Sequence, residues 1–99
     1  MSSAYVAAKH AVVSMTKAAA WEHAADGVRV NAVGPGFILT PLLEANLDQP
    51  AIDYLAAQHA LQRMGRPEKV AELVAWLVSD ASSFVTGAYY AVDGGYLAR

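Results

Sequence analysis

Two short apolar runs fix most of what this chain can become. Val28-Arg29-Val30-Asn31-Ala32-Val33 and Ala88-Tyr89-Tyr90-Ala91-Val92 are rich in β-branched and aromatic residues. Glycines follow each of them closely. This pattern predicts strands over 28–33 and 88–92. The sequence between them is helical in character, so the strands are expected to lie parallel, joined by a right-handed crossover. A two-stranded parallel sheet is a poor domain by itself, because such sheets are normally covered on both faces and contain more strands. The pattern reads as the C-terminal part of a doubly wound, Rossmann-like α/β fold whose N-terminal half is absent.

The helices follow from composition and punctuation. Ser3 to Ala25 is alanine-rich and holds neither Gly nor Pro, which is strong helix composition. Ser2 or Ser3 suits its start and Gly27 its stop. Its apolar residues, among them Val6, Val13, Ala20 and Trp21, are spread around the helix, so burial on several faces is expected. Thr40-Pro41 reads as an N-cap followed by proline at the first helical position. Two short helical pieces are expected over 41–47 and 51–62, broken at Asp48-Gln49-Pro50. Pro67 opens a further helix, in which Val70, Leu73, Val74, Leu77 and Val78 form one stripe expected to be buried.

Composition narrows the function classes. Of 99 residues, 56% are apolar and only 16% charged, with a net charge of −2. That excludes intrinsic disorder and a strongly basic surface for nucleic acid or membrane. A small globule with so little charge is expected to meet another polypeptide over part of its apolar surface. Cysteine is absent, which removes disulfides and thiolate metal sites and fits a reducing compartment. No apolar stretch is long enough to span a bilayer, and the first residues lack the features of a signal peptide, so a cytoplasmic protein is expected. His10, His23 and His59 show no metal-ligand spacing and read as structural or solvent-facing. Trp21, Phe84, Tyr89, Tyr90 and Tyr96 lack interleaved cations and read as core or interface residues.

Two features could carry chemistry. Tyr5 and Lys9 stand four residues apart on the first helix, hence on one face. An ammonium beside a phenol favours the phenolate and eases proton transfer. Such a pair alone is also a common surface contact. Gly34-Pro35-Gly36-Phe37-Ile38-Leu39-Thr40 directly follows the first strand, where open α/β sheets bind ligands. Gly36 would let backbone approach a ligand, and Thr40 could offer its hydroxyl and nearby amides to a phosphate. The plainer reading is a turn with an N-cap.

Taken together, these features resemble the short-chain dehydrogenase/reductase family in its C-terminal part. The resemblance is carried by Tyr5-Val6-Ala7-Ala8-Lys9, by Val28-Arg29-Val30-Asn31-Ala32-Val33 and by Pro35-Gly36-Phe37-Ile38-Leu39-Thr40-Pro41. Arg63-Met64-Gly65-Arg66-Pro67-Glu68, Ser79-Asp80-Ala81-Ser82-Ser83, Thr86-Gly87 and Val92-Asp93-Gly94-Gly95 continue it in the family's order. It implies NAD(P)-dependent interconversion of a small-molecule alcohol and carbonyl. Tyr5 is then the catalytic acid/base, and Lys9 holds the nicotinamide ribose and assists the tyrosine. The Ile38 backbone meets the carboxamide, Thr40 lies near the pyrophosphate, and Pro35 and Gly36 shape the loop. Asn31 is expected to be structural. The choice between NAD and NADP is not legible.

The departures matter too. Residues 1–99 read as the catalytic-helix and substrate-loop portion of a single domain. The family's glycine-rich turn, catalytic serine and catalytic asparagine have no counterpart in it. The chain is therefore expected to be a truncated member, inactive alone and with no cofactor bound alone. The rival reading is a non-catalytic piece that serves only in an assembly. Either way a homo-oligomer, a dimer or tetramer, is expected, with no nucleic-acid or membrane partner.

Overall fold

The computed structural model describes residues 2–99. Five elements dominate: α1 (Ser3–His23), β1 (Ala32–Pro35), α2 (Pro41–Asn46), α3 (Gln49–Ala57) and α4 (Pro67–Leu77). A sixth, β2 (Tyr89–Val92), pairs with β1 in a two-stranded sheet. The Ala32 N–H donates to the Ala88 carbonyl and the Gly36 N–H to the Val92 carbonyl. The register advances in the same direction on both strands, as a parallel pair requires. The chain divides into two compact units, Met1–Ala32 with Trp76–Tyr90 and Val33–Ala75 with Ala91–Arg99.

The first unit is built on α1. Ser2 caps it, its hydroxyl oxygen accepting from the Tyr5 N–H at 3.3 Å. A 3-10 turn over Ala24–Asp26 follows, and Gly27 ends it at φ 75°, a left-handed conformation that glycine adopts without penalty. Only Thr16 and Ala20 of α1 are buried. The expected burial on several faces is therefore not found within this chain. Trp21 is 88% exposed and Phe84 fully so, which removes the core half of their reading as core or interface residues.

The first strand begins later than its β-branched run suggests. Ahead of Ala32 the pairing is irregular, with side chains sharing the bonding. The Val30 N–H donates to the Thr86 hydroxyl, and the Asn31 amide bridges the Val85 carbonyl and the Ala88 N–H. Gly87, at φ 76°, donates its N–H to the Val30 carbonyl at 2.7 Å, the one backbone bond there among the described residues. The Arg29 guanidinium ties down the Val85 and Ser79 carbonyls, both at 3.1 Å. At the end of α4, the Ser82 hydroxyl lies within 2.8 Å of the Trp76 and Leu77 carbonyls. It is 1% exposed and offers its one proton to these helix-end carbonyls, of which Trp76 also accepts from the Ser79 N–H and hydroxyl.

The second unit is assembled from short pieces. Thr40 caps α2 by accepting the Leu43 N–H, and Asp48 caps α3 by accepting the Ala51 N–H. Asp48 thus starts a helix where a break was expected, and α3 stops at Ala57 rather than at 62. Past that point the chain turns, with Gln62 at φ 55°. The apolar stripe of α4 is only partly covered: Leu77 is buried, whereas Val74 and Val78 are exposed.

Candidate functional site

The first group of expected site residues lies on α1. Tyr5 and Lys9 share one face, with the Lys9 Nζ 5.3 Å from the centroid of the Tyr5 ring. Helix periodicity alone produces this pairing, since residues four apart stack one turn above another. The phenol is 63% exposed, so its hydroxyl is reachable from solvent. A hydroxyl open to solvent on this face is placed where a small molecule could reach it.

The second group occupies the second unit, at the carboxyl end of β1. Pro35 closes the strand, and Gly36, Ile38 and Thr40 follow in a loop whose backbone is almost fully bonded. The Phe37 carbonyl accepts from the Gly65 N–H at 2.9 Å, and the Leu39 N–H donates to the Gly65 carbonyl at 2.8 Å. These two bonds form an isolated parallel bridge between Ile38 and Gly65. The Thr40 N–H donates to the Ile38 carbonyl, while the Thr40 hydroxyl is engaged as a helix cap. A side chain at Gly36 would place its Cβ 2.9 Å from both the Asp93 Cα and the His59 Nε2, so only glycine fits.

This loop lines a cleft of about 350 Å³, together with His59, Arg63, Lys69 and Asp93. It sits beyond the carboxyl ends of the strands, where doubly wound sheets place ligands. The Asp93 carboxylate accepts the Gly95 and Leu97 N–H groups, which fixes the turn after β2. Two lining groups were not singled out by the sequence for this cleft, His59 and Asp93. His59 has no motif around it, and the Val92-Asp93-Gly94-Gly95 motif says nothing of a cleft; only the fold brings both to residues 36–38. Among the described residues, no group of three or more His, Asp or Glu side chains is arranged to hold a metal ion, and no helix is long and apolar enough to cross a membrane.

The chemistry of the cleft suits the carboxamide of a nicotinamide coenzyme, the cofactor type the fold implies: the Ile38 N–H has no partner among the described residues, and the Ile38 carbonyl, which accepts from the Thr40 N–H, keeps a second lone pair.

Comparison with known proteins agrees with this geometry. Residues 1–97 match the family described as enoyl-(acyl carrier protein) reductase. A cis-4-hydroxycyclohexanecarboxylate dehydrogenase of Sinomonas cyclohexanicum is 53% identical over 97 residues, covering 98% of this chain and 39% of the relative. A cyclohexanol dehydrogenase of an Acinetobacter species is 50% identical over the same length, covering 98% and 37%. Among solved structures, a short chain dehydrogenase family protein of Francisella tularensis superposes with a TM-score of 0.89 at 35% identity. That match covers 99% of this chain and 45% of the other. ElxO with NADP bound gives 0.88 at 37% identity, over 96% and 39%. The chain thus spans well under half the length of the proteins it matches.

Proposed function

This chain belongs to the short-chain dehydrogenase/reductase family, and from that membership we propose that it carries the proton-transfer pair and part of the coenzyme cleft of an NAD(P)-dependent alcohol dehydrogenase. The observation that carries the proposal is Lys9 standing over the exposed Tyr5 ring on α1. In this reading the Tyr5 hydroxyl takes the proton of the substrate alcohol, or returns it to the carbonyl oxygen. Lys9 stabilises the phenolate and holds the ribose hydroxyls. The Ile38 backbone N–H and C=O meet the carboxamide, Pro35 and Gly36 shape that approach, and Thr40 lies toward the pyrophosphate. When bound, the nicotinamide exchanges a hydride with the substrate carbon. NAD and NADP both remain in the proposal.

The substrate class is proposed to be an alcohol on a six-membered carbon ring. Two relatives that share half of this sequence carry the names of such dehydrogenases. The apolar residues of the 41–62 segment, including Leu42, Tyr54 and Leu55, suit such a ring. The cytoplasm is the proposed location, in keeping with the absence of cysteine.

The test is turnover of cyclohexanol in a form of the protein that reduces coenzyme. Tyr5→Phe is expected to lower kcat by more than tenfold, at least about 1.4 kcal/mol of barrier, with coenzyme affinity kept. Lys9→Ala is expected to weaken both. A Tyr5→Phe variant that keeps more than about a tenth of kcat would remove Tyr5 from the proton-transfer role.

A second reading has its own support. Trp21, Met15 and Val12 are large apolar residues exposed on different sides of α1. This favours an isologous contact between copies of the chain, in which the 99 residues alone act as an assembly piece without turnover. Sedimentation equilibrium at micromolar concentration is expected to show a dimer or larger species, and Trp21→Glu to dissociate it. A single 10.5 kDa species would refute the contact.

A further inference from the structure

We propose that His59 is a positioning residue for the coenzyme loop, holding the Ile38 N–H free and aimed into the cleft for the nicotinamide carboxamide. The inference rests on the dehydrogenase reading for what the loop holds, and on the hydrogen-bond pattern for how it is held.

In the 36–40 loop, four of five backbone N–H groups have partners. Gly36 donates to the Val92 carbonyl, Leu39 to Gly65 and Thr40 to Ile38. Phe37 donates to a side chain, the His59 Nε2, at 3.2 Å. The Ile38 N–H has no partner among the described residues. A half-buried, unpaired N–H is costly unless a ligand or water completes it. It is therefore the one backbone donor in the loop available to a ligand.

Among the described residues, His59 is the only side chain that accepts from this loop's backbone between residues 36 and 39. It is 2% exposed and is not used by the proton-transfer chemistry. Its two nitrogens are both committed. The Phe37 N–H can only donate, so Nε2 carries the lone pair and the proton sits on Nδ1, which donates to the Leu55 carbonyl at 2.9 Å. The ring is thus neutral and oriented from both ends. Its walls are tight: it meets the Phe37 ring edge-on at 5.8 Å and the Tyr96 ring at 5.7 Å. Gly36 and Gly94 leave room for it that a Cβ would fill or crowd. Phe37 is consequently gripped by its amide and by its ring, and the next peptide, that of Ile38, has its direction set.

The consequence is measurable on the 99-residue chain without any turnover. Nitrogen-15 NMR is expected to show His59 as the Nδ1-protonated neutral tautomer. Amide exchange is expected to be slow at Phe37 and fast at Ile38. His59→Leu removes the acceptor and is expected to speed Phe37 exchange at least tenfold, with the α1 amides unchanged as an internal measure of folding. His59→Gln, whose amide oxygen reaches about as far as Nε2, is expected to restore most of the protection. Nicotinamide itself, titrated at concentrations that reveal weak binding, is expected to shift the Ile38 amide in the unaltered chain and in His59→Gln but not in His59→Leu.

A protonated Nε2, or unchanged Phe37 exchange in His59→Leu with α1 intact, overturns the positioning role. If both variants lose the α1 protection, the tautomer and the Phe37 and Ile38 exchange of the unaltered chain decide. An unaltered loop that ignores nicotinamide while the exchange pattern holds overturns the carboxamide assignment instead, so the two failures are told apart.

Discussion

The two compact units achieve order by different means. The first rests on one long helix whose residues are mostly solvent-facing, with its polar anchoring concentrated at Arg29, Asn31 and Ser82. The second has no helix longer than α4 and is stitched by backbone bonds around His59 and its glycines. Two of the four positive-φ glycines, Gly27 and Gly95, make the contrast concrete. A Cβ at Gly27, in the first unit, would meet nothing within 4 Å, whereas one at Gly95 would lie 2.6 Å from the Ala60 Cβ. A helix ruled by local propensity leaves space at its end. A loop cluster ruled by close backbone approach does not.

The largest test of this contrast is Gly95→Ala. Left-handed strain and the clash with Ala60 together are expected to cost about 3 kcal/mol in urea unfolding. A cost under about 1 kcal/mol would mean that the second unit is looser than its geometry. Ser82→Ala comes next, at about 2 kcal/mol, since the Leu77 carbonyl loses its buried hydroxyl donor. An equally large loss there would show that the first unit depends on its few polar anchors rather than on α1. The smallest effect is expected for Gly27→Ala, about 1 kcal/mol, from left-handed strain alone. A value matching that of Gly95→Ala would erase the difference between the units.

The proximity of the first candidate pair could be read in advance because it is local. Four-residue spacing on a helix brings Tyr5 and Lys9 together whatever else the chain does, and the geometry of α1 agrees. The loop at 35–40 was legible as a loop, from its glycines and the Thr40-Pro41 cap. His59 was not, because its partners are the Phe37 N–H, twenty-two residues earlier, and the Leu55 carbonyl. No local periodicity encodes a contact of that separation.

The same division runs through the fold. Alanine content, the caps at Ser2 and Thr40, and the glycine at 27 determined where helices begin and end, because those preferences act within one turn of chain. The β-branched runs identified both strands. Where the regular ladder lies was decided by tertiary contacts: Thr86 and Asn31 take part of the bonding ahead of residue 32, and the strand runs on through Gly34 and Pro35, past the β-branched run. Burial was decided there as well. Apolar periodicity says which residues would gain by leaving water, and only neighbouring layers can cover them. That is why Leu77 is buried while Val78, Trp21 and Phe84 stand in solvent.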